Sequence, residues 1–162
     1  MLTYEDKIVG SIRPSVKEDF QAIADDMRQQ DIMEAWSALR LSPLGILKYS
    51  FAKSLVCMTI SHDEKPIAMF GIMPDGMSSG ILWMITTYGL ENNNFGRPFV
   101  RNCKRWFKDM LEIYPLLWGT VDLRNEKSIK WLTYLGCEWG ETRLFGEDNL
   151  PFRKFTFKKE ML

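Results

Sequence analysis

Gly80-Ile81-Leu82-Trp83-Met84-Ile85-Thr86-Thr87 runs into a segment from Tyr88 to Arg97 that holds Asn92-Asn93-Asn94 and Gly96, and then into Pro98-Phe99-Val100 and the residues up to Tyr114. The first piece is an apolar run of strand length. The second is polar and turn-prone. In the third, Phe99, Val100, Cys103, Phe107, Met110, Leu111 and Tyr114 recur at the spacings of an amphipathic helix. Pro98 suits the first helical position, where its missing N–H is not needed. A strand feeding a loop that feeds a helix N-terminus has two readings. It is a plain crossover between sheet strands, or it is an anion site, because the first N–H groups of a helix are unpaired and carry partial positive charge.

Working outward, Pro115 ends the helix and Leu116 to Leu123 is another apolar strand run. Asn125 to Leu135 is a short helix closed by Gly136 as its C-cap. Thr142 to Phe145 and Phe152 to Lys158 read as late strands joined by a surface loop. Upstream, Leu55 to Ser61 and Pro66 to Met73 form an antiparallel hairpin across His62-Asp63-Glu64-Lys65. Ile8 to Arg13 is a short first strand. Ser15-Val16-Lys17-Glu18 has the pattern of a capping box ahead of the helical face Val16, Phe20, Ile23, Ala24 and Met27. That helix is expected to fray near Gln29-Gln30-Asp31, with a second helical piece from Ile32 to Leu39. Ser42-Pro43 opens a third helix. The order predicts an α+β fold, a mixed and mostly antiparallel sheet of about six or seven strands with helices on both faces. Residues 1–162 are expected to form a single domain.

Lys plus Arg number 21 and Asp plus Glu number 21, so no global basic field exists to support dedicated nucleic-acid binding. Cys57, Cys103 and Cys137 are widely spaced in apolar surroundings and read as reduced core residues, not a disulfide framework or zinc site. No metal site is expected. Met1-Leu2-Thr3-Tyr4-Glu5-Asp6 lacks a basic start and an apolar core, and no run is long enough to span a bilayer. A cytoplasmic protein without membrane attachment is expected. No Ser-His-Asp order, metal spacing or P-loop is present, which argues against a hydrolase, a metalloenzyme or an NTPase.

Asn93-Asn94-Phe95-Gly96-Arg97-Pro98 and the run Asn125-Glu126-Lys127-Ser128 to Leu135-Gly136-Cys137 resemble two motifs of the GNAT N-acetyltransferase superfamily. In that family a loop usually reading Q/R-x-x-G-x-G/A after the fourth strand binds the pyrophosphate of acetyl-CoA. N-x-x-A/S followed by L-G-F comes after the fifth strand. Here Gly96, Asn125, Ser128, Leu135 and Gly136 match. The first loop position is Asn93, the last is Pro98, and Cys137 replaces the aromatic. The resemblance implies acetyl-CoA as cofactor, held by Ile85, Thr86 and Thr87 on the strand, by Asn94, Phe95, Gly96 and Arg97 in the loop, and by Asn125 and Ser128. On spacing alone, Asn125 reads equally as a helix cap with Ser128 packed beside it. Many family members place a Tyr seven residues after the Asn as general acid. Leu132 stands there, and Tyr134 falls on another side of the helix.

The segments Ile23 to Asp31 with Glu34 and Trp36, Lys65 to Gly71, Leu82 to Thr87 and Val121 to Gly136 are similar to small GNAT-like proteins of tailed bacteriophages. That resemblance implies a phage origin, a setting in the infected host cell, and a possible phage or host protein as partner. An amine acceptor must lose a proton, so a carboxylate, a His or a water has to take it. Glu34 is the first catalytic candidate, with Trp36 as a substrate-binding wall; a solvated helix face is the bland reading. Asp122 is the second, or a turn and cap residue. His62 reads as a surface residue. The expected function is acetyl transfer from acetyl-CoA to an amine of a protein or small molecule. The alternative is an inactive GNAT-fold phage protein with a virion-assembly or host-protein-binding role.

Overall fold

The computed structural model describes residues 4–6, 10–92 and 96–161, with side chains over 10–92 and 99–160. The strands are β1 (Tyr4–Asp6), β2 (Gly10–Pro14), β3 (Val56–His62), β4 (Lys65–Pro74), β5 (Ser79–Thr86), β6 (Leu116–Asp122), β7 (Glu138–Phe145) and β8 (Leu150–Lys158). The helices are α1 (Asp19–Asp25), α2 (Gln29–Leu39), α3 (Pro43–Lys53), α4 (Tyr88–Asn92), α5 (Gly96–Ile113) and α6 (Glu126–Leu135), with a final 3₁₀ turn at Lys159–Met161. One sheet runs in the order β1-β2-β3-β4-β5-β6-β8-β7. Its pairs are antiparallel except β5 with β6, the pair that α5 connects. The short β1 makes it eight strands, one more than the sequence suggested.

Helices cover both faces because the central strands are apolar on both sides. On one face Val56, Met58, Phe70, Ile72, Leu82 and Leu117 pack under α5 and α6. On the other, Met69 and Ile85 pack with Phe20, Ile23 and Met27 of the α1 segment and Leu47 of α3. The α5 face named from the sequence is buried at Cys103, Phe107, Met110, Leu111 and Tyr114, joined by Trp106.

Several local expectations are corrected. The helix does not fray at Gln29–Asp31; α2 begins there. The break lies just before it, where Met27 forms an antiparallel bridge with Thr87 and the Arg28 N–H donates to the Thr86 carbonyl. Ser15 does not cap α1. Its hydroxyl accepts from Thr59, and the Asp19 carboxylate accepts from the Val16 N–H instead. The segment after β5 holds the one-turn helix α4, and α5 starts at Gly96, so Pro98 sits within its first turn. β7 begins at Glu138, earlier than expected. The Ser42 cap is present, its hydroxyl accepting from the Gly45 N–H.

Candidate active site

The parallel contact of β5 with β6 is short, pairing only Ser79, Gly80 and Ile81 with Leu116, Leu117 and Trp118. At the next step Gly119 lies so close that a Cβ there would meet the Leu82 carbonyl oxygen at 2.7 Å and the Phe155 ring at 2.5 Å. Beyond that point the strands part. A cavity of about 520 Å³ fills the gap, lined by α2, α3, β5, β6 and α6.

Parted strands leave backbone N–H groups that need partners. Helix α2 supplies two of them. Asp31 Oδ2 accepts from the Thr86 N–H at 3.2 Å and from the Thr86 hydroxyl at 3.0 Å. Glu34 Oε1 accepts from the Asp122 N–H at 2.9 Å and from Asn125 Nδ2 at 3.3 Å. The Thr86 N–H and carbonyl both turn away from β4, since they bond Asp31 and Arg28. In an antiparallel ladder that orientation recurs every second residue. Met84, two positions back, therefore turns its N–H and carbonyl into the gap.

The charged groups are ordered tightly. Arg28, buried, reaches Asp31 through Nε at 3.0 Å and Nη2 at 3.3 Å, and its Nη2 lies 3.5 Å from the Ser128 hydroxyl. Glu91 of α4 pairs with Lys127 of α6 and lies 4.0 Å from Arg28 Nη1. Burial, and then the nearby Asp31 charge, push the Glu34 carboxyl up to about 7. Both of its hydrogen bonds fall on Oε1. That leaves Oε2 available for a proton.

The expected site residues divide. Glu34, Ile85, Thr86, Asn125 and Ser128 all line the cavity. Thr87 does not; its hydroxyl donates to the Ile67 carbonyl behind the strand. Asn94 and Phe95 lie outside the described residues. Gly96 and Arg97 open α5, and their side chains also lie outside them. Asp122 is buried beside the cavity without lining it, and both its oxygens are taken by Arg124. Trp36 is 52% exposed and lies off the cavity, stacked under Arg40. Asn125 caps α6 by accepting from the Ser128 N–H, so its cap and site placements coexist. Leu132 lines the cavity where a Tyr acid is common in the GNAT family, and Tyr134 is exposed beside Lys104. Burial pushes the thiols of Cys57 and Cys137 up to about 11. Among the described residues no cluster of His, Cys, Asp and Glu could hold a metal, and no helix is long and apolar enough to cross a membrane.

Arg28 and Asp31 were missed from the sequence. The signal was available: Arg28, Asp31 and Glu34 are spaced three apart, and the cavity-lining Ala35 and Ala38 continue the same face.

The α2 helix is pinned at its far end. Ser37 approaches the β7–β8 turn so closely that a Cβ at Gly146 would lie 1.7 Å from its carbonyl oxygen. Arg40 pairs there with Glu147 at 3.2 Å and Asp148 at 2.7 Å.

The backbone fold is similar to that of known structures. A GNAT-family acetyltransferase from Bacillus anthracis matches with a TM-score of 0.71 at 9% identity, over 98% of this chain and 99% of that one. The chain has the GNAT fold. A spermidine N-acetyltransferase from Vibrio cholerae, solved in complex with CoA and spermine, matches with a TM-score of 0.69 at 12% identity, over 93% of this chain and 95% of that one. A ribosomal-protein-S5-alanine acetyltransferase from Vibrio fischeri matches with a TM-score of 0.68 at 13% identity, over 99% and 98%. No family model matches the chain, and no curated protein matches it in sequence. The shared GNAT fold is thus carried by the path of the backbone at low identity.

Proposed function

We propose that this chain is an acetyl-CoA-dependent N-acetyltransferase in which Glu34 is the general base. The observation that carries the reading is the placement of Glu34. It stands at the open end of the gap between β5 and β6, beside the unpaired strand edge at Met84, with its carboxyl pushed up to about 7. A base poised near neutral pH combines a useful ionised fraction with enough basicity to take a proton from an ammonium.

Acetyl-CoA would supply an activated acetyl group as a thioester. The residues present fit it: Leu82, Met84, Phe99 and Trp131 give an apolar channel for its thiol arm. Asn125 and Ser128 border that channel. The start of α5, with Gly96 and Arg97, would take the pyrophosphate by charge and free N–H groups. The Met84 N–H, facing the gap, would donate to the thioester carbonyl oxygen as negative charge develops there. Glu34 would take one proton from the acceptor ammonium, the freed nitrogen lone pair would form the new C–N bond as the C–S bond breaks, and the acylated nitrogen would lose its second proton to water to give the neutral amide. No acid stands at Leu132, and the thiolate departs unaided, which a group with an ordinary pKa near 8.5 tolerates.

Asp122 is assigned a structural part, because Arg124 saturates its oxygens. The phage origin and host-cell setting rest on the sequence resemblance alone. Calorimetry with acetyl-CoA tests the reading, with Gly96→Glu as control. Micromolar binding lost in the variant supports it. A folded protein that binds no acetyl-CoA would leave a non-catalytic GNAT-fold protein acting through a phage or host partner.

A further inference from the structure

The cavity passes through the sheet. One arm lies under α5 and α6. The other opens between α2 and α3, where Ala38, Leu39, Ile46, Tyr49 and Trp83 form the walls. Leu39 and Tyr49 are exposed and form the rim. The carboxylates that line the cavity are Asp31, Glu34 and Glu91, and Glu91 sits at the opposite side, held by Lys127. From Glu34 outward to the rim, the side chains of the α2–α3 arm therefore present mostly carbon, with the hydroxyls of Ser50 and Tyr49 and the Trp83 indole N–H, which donates to Ser54, as their polar groups.

We infer that the acceptor is a small primary amine carrying one apolar tail, aryl or branched alkyl, with its ammonium at Glu34 and its tail between α2 and α3. Charge complementarity fixes the orientation. The ammonium meets the Glu34 carboxylate at the inner end, with the Arg28-paired Asp31 behind it, and the tail removes apolar wall from water. A polyamine fits poorly. Its second ammonium would lie against Leu39 and Ile46, with no carboxylate among the described residues of that arm to receive it. The inference rests on the acetyl-transfer reading for the fate of the amine, and not for its binding.

The experiment uses the full chain with 2-phenylethylamine, spermidine and a lysine-containing peptide as probes. Binding is followed by tryptophan fluorescence without acetyl-CoA, and turnover by release of free thiol with it. Phenylethylamine is expected to bind at least about tenfold more tightly than spermidine or the peptide. Leu39→Glu at the rim should narrow or invert the preference over spermidine while the melting temperature stays near that of the parent. Ala38→Trp, which fills the arm, should abolish phenylethylamine binding. Equal or tighter binding of spermidine or peptide, binding of no amine, or a preference unmoved by both variants overturns the inference. Phenylethylamine binding without any acetyl-CoA binding sustains it and removes the acetyl-transfer reading instead.

Discussion

Asp31 and Glu34, one turn apart on a single helix, accept backbone N–H groups from the two strands whose parting makes the cavity: Thr86 on β5 and Asp122 on β6. The helix takes the place that the missing β5–β6 ladder would have filled. A like charge beside Glu34 is a consequence of that arrangement, and it adds to burial in raising the Glu34 pKa.

Replacing the base isolates its role. Glu34→Gln keeps an oxygen for the Asp122 N–H and removes the proton acceptor. The expected fall in kcat is roughly a hundred- to ten-thousand-fold. Acetyl-CoA affinity should hold. In the parent, the rate should rise with pH to a plateau above about 7. The variant should lack that limb.

The same substitution should stabilise the fold, in a pH-dependent way. An unfolded Glu titrates near 4.5, and Glu34 in the fold near 7. Between those values the native state holds more protons, so stability falls as pH rises through the window and stays reduced above it. Glu34→Gln should therefore gain about 1–3 kcal/mol at pH 8 and little at pH 4.5. Urea melts at the two pH values would measure it. An equal gain at both would show that the Glu34 pKa is not raised.

Asp31→Ala strands a cation. Arg28, its side chain only 9% exposed, loses its closest carboxylate, and the Thr86 N–H loses its acceptor. The cost should be about 3–5 kcal/mol by chemical denaturation.

Asp122→Asn separates the two sequence candidates. It weakens the grip on Arg124 and should lower stability by about 1–3 kcal/mol. The rate should stay within a few-fold of the parent. A loss of kcat as large as that of Glu34→Gln, with the fold intact, would make Asp122 part of the chemistry.

Gly119→Ala tests the point where the strands diverge. A Cβ there meets the Leu82 carbonyl and the Phe155 ring. The strands cannot close that tightly around it, and destabilisation of about 1–3 kcal/mol is expected.

The sheet was legible because its strands are bounded by clear turns and its long helix by period. The β3–β4 hairpin turn, for example, places Asp63 and Glu64 at positive φ, as a two-residue connection requires. The place of Glu34 at the cavity was legible because an amine acceptor needs a proton-taking group and Glu34 is a carboxylate on the early helices. The spacing of Arg28 and Asp31 with Glu34 marks a shared helix face, but what that face binds was not legible, because the partner of Asp31 lies 55 residues away on a strand edge. Trp36 was misplaced through helix phase. Two residues from Glu34, it points to a different side of α2. The β1 strand is too short for any periodicity to show.

The docking of Ser37 and Arg40 onto the β7–β8 turn, with the Met27–Thr87 bridge at the other end, gives α2 the character of a beam resting on two piers. A beam does not swing. With both ends of α2 held, ligands are expected to come and go past the rim of the passage, not beneath a lifting cover. Loss of the short turn at Gly146–Asn149, which touches no reactant, would leave the beam on one support and let Glu34 drift from its mark.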